Sequence, residues 1–180
     1  MKNLANILSI VRIFLVVPII ILLENHYIYW VIIFFLLGGL SDYLDGFLAR
    51  KYNTVSNTGK LLDPLADKIF IMSILIYMFK SLDVSFWIIF IILFRELIIT
   101  GLRAELASKG YILPAGKSGK WKTFLQFFSI FFLLLSYINK NFYNIGIFML
   151  YIAVILTIAS GFQYFMIYYN FSKEIQKHSD

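Results

Sequence analysis

The sequence predicts an all-α integral membrane protein of six transmembrane helices. Three observations carry that prediction: long apolar runs, a shortage of charge, and a lopsided distribution of basic residues. Of 180 residues, 61% are hydrophobic and 14% charged, where a soluble domain carries roughly 25% charged residues. Lipid is therefore the expected solvent for most side chains, including the 19 Phe and 12 Tyr. The lack of cysteine excludes disulfides and thiolate metal sites. A formal net charge of +6 suits anionic headgroups or phosphorylated substrates without choosing between them. With no long linker, low-complexity tract or convincing repeat, residues 1–180 read as a single membrane-embedded domain.

The apolar runs place spans near 5–23, 28–50, 61–79, 85–107, 120–138 and 143–170. Each approaches or exceeds the ~20 residues a helix needs to cross the hydrocarbon core. The runs are continuously apolar rather than alternating, which favours helices over barrel strands. The first has the look of a signal peptide, with Lys2 before an apolar stretch, but it lacks a small-residue cleavage site and carries Asn6, Ser9 and Arg12. It reads as a retained span. In the second, Gly38 and Gly39 permit close packing of another helix or a slight bend. The polar stretch Tyr52–Lys60 reads as a short turn, after which Pro64 disfavours helical geometry at Asp63, so the third helix should begin or bend there. The fourth span carries Arg95, Glu96, Arg103 and Glu105; the fifth follows a Gly- and Lys-rich segment holding Lys117, Lys120 and Lys122. Tyr27, Tyr29, Trp30, Trp87, Trp121, Tyr168 and Tyr169 lie near span ends, where aromatic belts form. His26 and His178 have no partners at metal-ligand spacing and receive no role.

Basic residues give the orientation. With both termini cytoplasmic, that side receives Lys2, Arg12, Arg50, Lys51, Lys60, Lys68, Arg95, Arg103, Lys109, Lys117, Lys120, Lys122, Lys173 and Lys177, leaving only Lys80 and Lys140 opposite. This is a strong positive-inside bias.

The chemistry gathers in SDYLDGFLARKYNTVSNTGKLLDPLADK. Asp42 and Asp45 lie on neighbouring turns of one helix face, and Asp63 and Asp67 one turn apart on the next helix. Gly46 and Ala49 keep the first face shallow, and Arg50 ends it with a planar fork suited to phosphate oxygens. Two antiparallel helices would thus present two aspartates each to a shared space. Four carboxylates that close repel one another unless divalent cations neutralise them. All-oxygen ligation favours two Mg²⁺ or Mn²⁺ ions, which would polarise a diphosphate.

The string Asp42-x2-Asp45-Gly46-x2-Ala49-Arg50-x8-Gly59-x3-Asp63-x3-Asp67 resembles the complete signature of the CDP-alcohol phosphotransferase family, and the resemblance extends over nearly the whole chain. It implies six transmembrane helices, a homodimer, and attack by an alcohol hydroxyl on the lipid-bearing phosphate of a CDP-linked donor, releasing CMP. It also implies that Asp42, Asp45, Asp63 and Asp67 surround two divalent metals, with Asp67 the general base. Gly46, Ala49, Arg50 and Gly59 would line the nucleotide and diphosphate pocket. Asn6, Ser9 and Arg12 resemble the family's Asn-x2-Thr-x2-Arg segment and are expected near the nucleotide or the acceptor, Asn6 and Ser9 on the nucleotide side; Ser9 replaces the usual Thr and Ala5 a common Pro.

The acceptor must be read elsewhere. Arg95, at the end of an apolar run, would be costly facing lipid and should turn inward. Lys117, Lys120 and Lys122 either join it or snorkel to headgroups. Clustered cations suit a dianionic acceptor better than serine, choline or ethanolamine. Arg95-Glu96, Arg103 and Gly119-Lys120-Trp121-Lys122-Thr123 resemble the phosphatidylglycerophosphate synthase branch. The substrates so implied are CDP-diacylglycerol and sn-glycerol 3-phosphate, with Arg12, Arg95, Arg103, Lys117, Lys120 and Lys122 on the acceptor phosphate. Membrane lipids are the other expected partner, and nucleic acid is not expected. Within the family, cardiolipin synthesis or an inositol-phosphate acceptor is the alternative. An intramembrane prenyltransferase would hold two aspartate-rich loops far apart, whereas here all four aspartates lie within 26 residues. A small transporter would spread acidic residues along a pore rather than gather them at one face.

Overall fold

A computed structural model describes residues 2–52, 59–108, 111 and 117–179, and the side chains of 9–41, 65–108, 111, 119, 121–170 and 173. The described elements are all α: α1 Lys2–Glu24, α2 Ile28–Tyr52, α3 Gly59–Ser81, α4 Phe86–Ser108, α5 Lys117–Leu135 and α6 Asn141–Ser179. Each contains most or all of one apolar run. The turn read at Tyr52–Lys60 falls largely on 53–58, outside the described residues.

Helix ends follow local chemistry. α1 closes with His26 in the left-handed region at φ 60°. The Tyr27 amide donates to the Leu22 carbonyl (2.9 Å) and the His26 amide to that of Leu23 (3.1 Å), so the last carbonyls are satisfied although no glycine caps the helix. α3 begins at Gly59 rather than at Asp63, which places Pro64 inside it. Only one amide, that of Pro64, is missing from the ladder, and at a helix start that loss is small beside the packing of the turns that follow. α5 stops at Leu135 instead of continuing to 138, where the Ser136 hydroxyl donates to the Leu133 carbonyl (2.6 Å) and diverts the chain into a turn. α6 runs past residue 170 to Ser179.

α1 packs on α2 and α3, α4 on α6, and α5 lies along α6. The core they enclose includes Ile19, Phe35, Phe70, Ile74, Leu75, Met78, Ile92, Ile130, Leu133 and Leu150, each at most 2% exposed. At its centre Phe35 stacks between Phe70 (5.7 Å) and Phe127 (4.5 Å). Gly38 and Gly39 make room for those outer rings, since a Cβ on the first would overlap Phe70 and on the second Phe127. Where α5 and α6 meet, a Cβ on Gly146 would lie 2.8 Å from Leu133 Cγ, and Ser129 donates to the Gly146 carbonyl (2.8 Å).

The exterior is apolar. Phe14, Trp87, Phe148 and Phe162 are each about two-thirds exposed, amid many other outward Ile, Leu and Phe side chains. So much exposed apolar surface marks a protein that meets membrane or partner there. Among the described residues Asn141–Asn170 is long and apolar enough to cross a membrane, and Ile28–Ser41 and Trp121–Leu135 are shorter apolar stretches. The two ends of the bundle differ. Ser81 bonds Tyr137, and Tyr143 donates to the Leu82 carbonyl (3.2 Å), so the end of α3, the end of α5 and the start of α6 meet at one end. The described cluster of paired charges lies towards the other.

The glycine seats give a stability prediction. Gly39→Val, which overlaps a stacked ring that cannot retreat, should destabilise the fold by about 1–3 kcal/mol. Gly101→Ala, with nothing within 4 Å of the new methyl, should be neutral or stabilising by up to about 1 kcal/mol. Melting temperatures in detergent read both.

Candidate active site

Arg12 is the residue around which α1, α2 and α3 close. Its side chain is 2% exposed on an otherwise apolar helix, a position that requires an opposite charge. The guanidinium donates through Nη1 to Asp67 Oδ1 on α3 and through Nε to Ser41 Oγ on α2 (3.3 Å). Ser41 in turn donates to the Gly38 carbonyl (2.7 Å), beside the ring seats that bring α3 and α5 against α2. Ser9 lies buried one turn before Arg12. Asp67 itself is 39% exposed, and the Arg12 bond fixes one of its oxygens.

α2 continues from Ser41 through Asp42, Asp45, Gly46, Ala49 and Arg50, and α3 carries Gly59 about two turns and Asp63 about one turn before Asp67. The side chains of these residues, and those of Asn6, Lys117 and Lys120, lie outside the described residues. Among the described residues no three His, Cys, Asp or Glu gather, Asp67 being the only described member of the aspartate set. A divalent ion nonetheless suits the donor chemistry: the set is all carboxylate, and Asp67 already draws a cation, the Arg12 guanidinium, to one oxygen.

Next to Asp67 in sequence, Lys68 opens a second group built from α3, α4, α5 and α6. Its ammonium bonds Thr100 Oγ1 and lies 4.0 Å from Glu96 Oε2. Lys122 bonds Glu96 Oε1, which also accepts from Arg95 Nη1 (3.1 Å). Three cations thus converge on one carboxylate. Lys122 is 4% exposed and does not snorkel outward. Arg95 Nη2 donates to Ser160 (2.9 Å) and Arg103 Nη2 to the Tyr164 hydroxyl (2.7 Å). The buried Tyr164 ring lies 5.4 Å from the Arg95 guanidinium and 4.9 Å from that of Arg103, within cation–π range. Gly161 admits the Arg95 stem, whose Cγ would lie 3.2 Å from a Cβ there.

Of the cations assigned to the acceptor, Arg95, Arg103 and Lys122 lie in one group, and Arg12 lies against Asp67. Lys68, Ser41, Ser160 and Tyr164 were not singled out. Polar residues at a four-residue spacing on the otherwise apolar α6 were the available signal for Ser160 and Tyr164, but it names no partner. Glu105 accepts from the Tyr168 hydroxyl (2.9 and 3.0 Å) on the far side of this group. Glu96 thus faces Lys68, Arg95, Lys122 and, through Tyr164, Arg103. Among the described residues the cluster is short of negative charge, the condition for binding an anion.

Residues 2–159 match the CDP-alcohol phosphatidyltransferase family. The chain is 38% identical over 172 residues to a CDP-diacylglycerol–glycerol-3-phosphate 3-phosphatidyltransferase of Rickettsia typhi, covering 92% of this chain and 96% of that protein. Proteins of the same name from Mycoplasma pneumoniae (41% identical; 72% of this chain, 66% of that protein) and Bacillus subtilis (37%; 74% and 70%) are also similar. With a family match over most of its length and relatives above a third identical, the chain belongs to the CDP-alcohol phosphatidyltransferase family.

Proposed function

We propose that this chain transfers the phosphatidyl group of CDP-diacylglycerol to sn-glycerol 3-phosphate, giving phosphatidylglycerophosphate and CMP. The observation that carries the acceptor is the Lys68–Arg95–Arg103–Lys122 cluster, one residue along α3 from Asp67 and, among the described residues, met directly by one carboxylate, Glu96. A phosphate dianion would supply the missing charge, as choline or ethanolamine would not. The relatives' names point to the same pair of substrates.

In this reading the acceptor's primary hydroxyl oxygen forms a bond to the lipid-bearing phosphorus, and the bond from that phosphorus to the CMP oxygen breaks. CMP leaves with the electron pair, and the hydroxyl proton passes to Asp67. Arg12 holds the Asp67 carboxylate by one oxygen, fixing its direction. Asn6, Ser9, Gly46, Ala49, Arg50 and Gly59 would receive the nucleotide and diphosphate. Asp42, Asp45, Asp63 and Asp67 would hold two Mg²⁺ or Mn²⁺ ions, which when bound polarise the diphosphate and offset its charge. Lys117 and Lys120 would extend the acceptor's cationic rim.

The setting we propose is one domain of six spans in the cytoplasmic membrane, with both termini and the site on the cytoplasmic side. Fourteen of the 16 basic residues then lie on that side. A homodimer would cover part of the outward apolar surface.

CMP release should be greatest with sn-glycerol 3-phosphate in a scan of acceptors that includes phosphatidylglycerol, inositol phosphate and serine. Release with another alcohol and none with glycerol phosphate would sink the assignment. Asp67→Asn should lower turnover by at least about a hundredfold while CDP-diacylglycerol still binds; normal turnover would remove it as base. Arg103→Ala should raise KM for glycerol 3-phosphate by about ten- to a hundredfold, as loss of a charged hydrogen bond does, and leave KM for the CDP-lipid alone.

A further inference from the structure

Two buried donors in this region have no hydrogen-bond partner among the described residues: Nε of Arg95 and Nε2 of Gln126. Native interiors leave few such groups, because an unmet donor keeps its full desolvation penalty. Gln126 is 5% exposed and stands one helical turn after Lys122 on the buried face of α5. Arg95 and Lys122 share Glu96 Oε1, so one orphan donor belongs to a residue that touches that oxygen and the other to a residue one helical turn from Lys122.

Depth places Gln126 within about one helical turn of the reacting carboxylate. Counted back from the contact between Ser81 and Tyr137, Asp67 lies 14 residues away and Gln126 11. At 1.5 Å per residue these are about 21 and 16 Å, a difference of about 5 Å. The two helices start at the same end, since Ser81 and Tyr137 meet at the other.

We propose that Gln126 is a specificity-determining residue of the acceptor site, its side-chain amide bonding the secondary hydroxyl of a bound glycerol phosphate. This rests on the acceptor reading above. A glycerol phosphate offers three polar groups. The dianionic phosphate goes to the cations, and the attacking primary hydroxyl must face Asp67. The secondary hydroxyl is left, and it both donates and accepts. A neutral amide does the same, whereas another cation would compete for the phosphate.

The test compares the unaltered chain with Gln126→Leu and Gln126→Met, following CMP release from CDP-diacylglycerol. The acceptors are sn-glycerol 3-phosphate and 3-hydroxypropyl phosphate, which lacks the secondary hydroxyl. The unaltered chain should prefer glycerol phosphate by about tenfold in kcat/KM, the worth of one neutral hydrogen bond. Either variant should lose that preference through glycerol phosphate alone, keeping its rate with 3-hydroxypropyl phosphate. A merely structural role would lower both rates together, and that result overturns the proposal. So does a variant that keeps the preference, or an unaltered chain that lacks it. Two variants are used so that one which fails to fold leaves the other to decide. If the unaltered chain releases CMP with neither acceptor, the acceptor reading fails and takes this inference with it; release with unchanged selectivity in a variant sinks the inference alone.

Discussion

A charge inside an apolar helical bundle costs several kcal/mol unless an opposite charge and further hydrogen bonds meet it. Arg12 imposes that constraint on the first three helices. Its guanidinium has no route to solvent, so α3 must bring Asp67 to it and α2 must bring Ser41. Each of those contacts stands beside a position at which the chain would do chemistry. The same bond that secures the packing also orients the carboxylate, so fold and site share one interaction. Such a pair says more about uniqueness of arrangement than about net stability, because the attraction largely offsets the desolvation.

The second group works by a different balance. One carboxylate, Glu96, stands against Lys68, Arg95 and Lys122, with Arg103 held nearby through Tyr164. Tyr164 offers its hydroxyl to one arginine and its ring face to both, so it orders cations without cancelling their charge. That is an economical way to keep a positive site assembled while its anion is away. Gly161 serves the same end by letting the Arg95 stem lie against α6. Three of the helices contributing here, α3, α5 and α6, are tied at their opposite ends by Tyr137, Tyr143 and their partners.

The aromatic stack of Phe70, Phe35 and Phe127 links the two groups. It sits one to two turns from Ser41 and from Asp67 along α2 and α3, and one turn from Lys122 along α5. Two adjacent glycines seat its outer rings, so helices from both groups approach α2 at one level. Rigid packing of this kind sets distances among side chains that come from different helices.

The sequence by itself determined the helical class, the six apolar runs and the aspartate spacing, because these are local: apolar runs and carboxylates three or four residues apart need no tertiary knowledge. It also marked Arg95 as a cation too costly to leave facing lipid. It did not reveal that Arg12 would meet Asp67, 55 residues on, or that Lys122 would lie buried on Glu96 rather than reach for headgroups. Start points shifted too, as α3 begins ahead of Pro64 because the packing of its later turns outweighs one missing amide. Nor could periodicity distinguish Ser160, Tyr164 and Gln126 from ordinary polar interruptions of a span. Only the tertiary structure decided which charge each charge would face, because a pairing between helices depends on rotation and depth, and neither is written in the spacing of one helix alone.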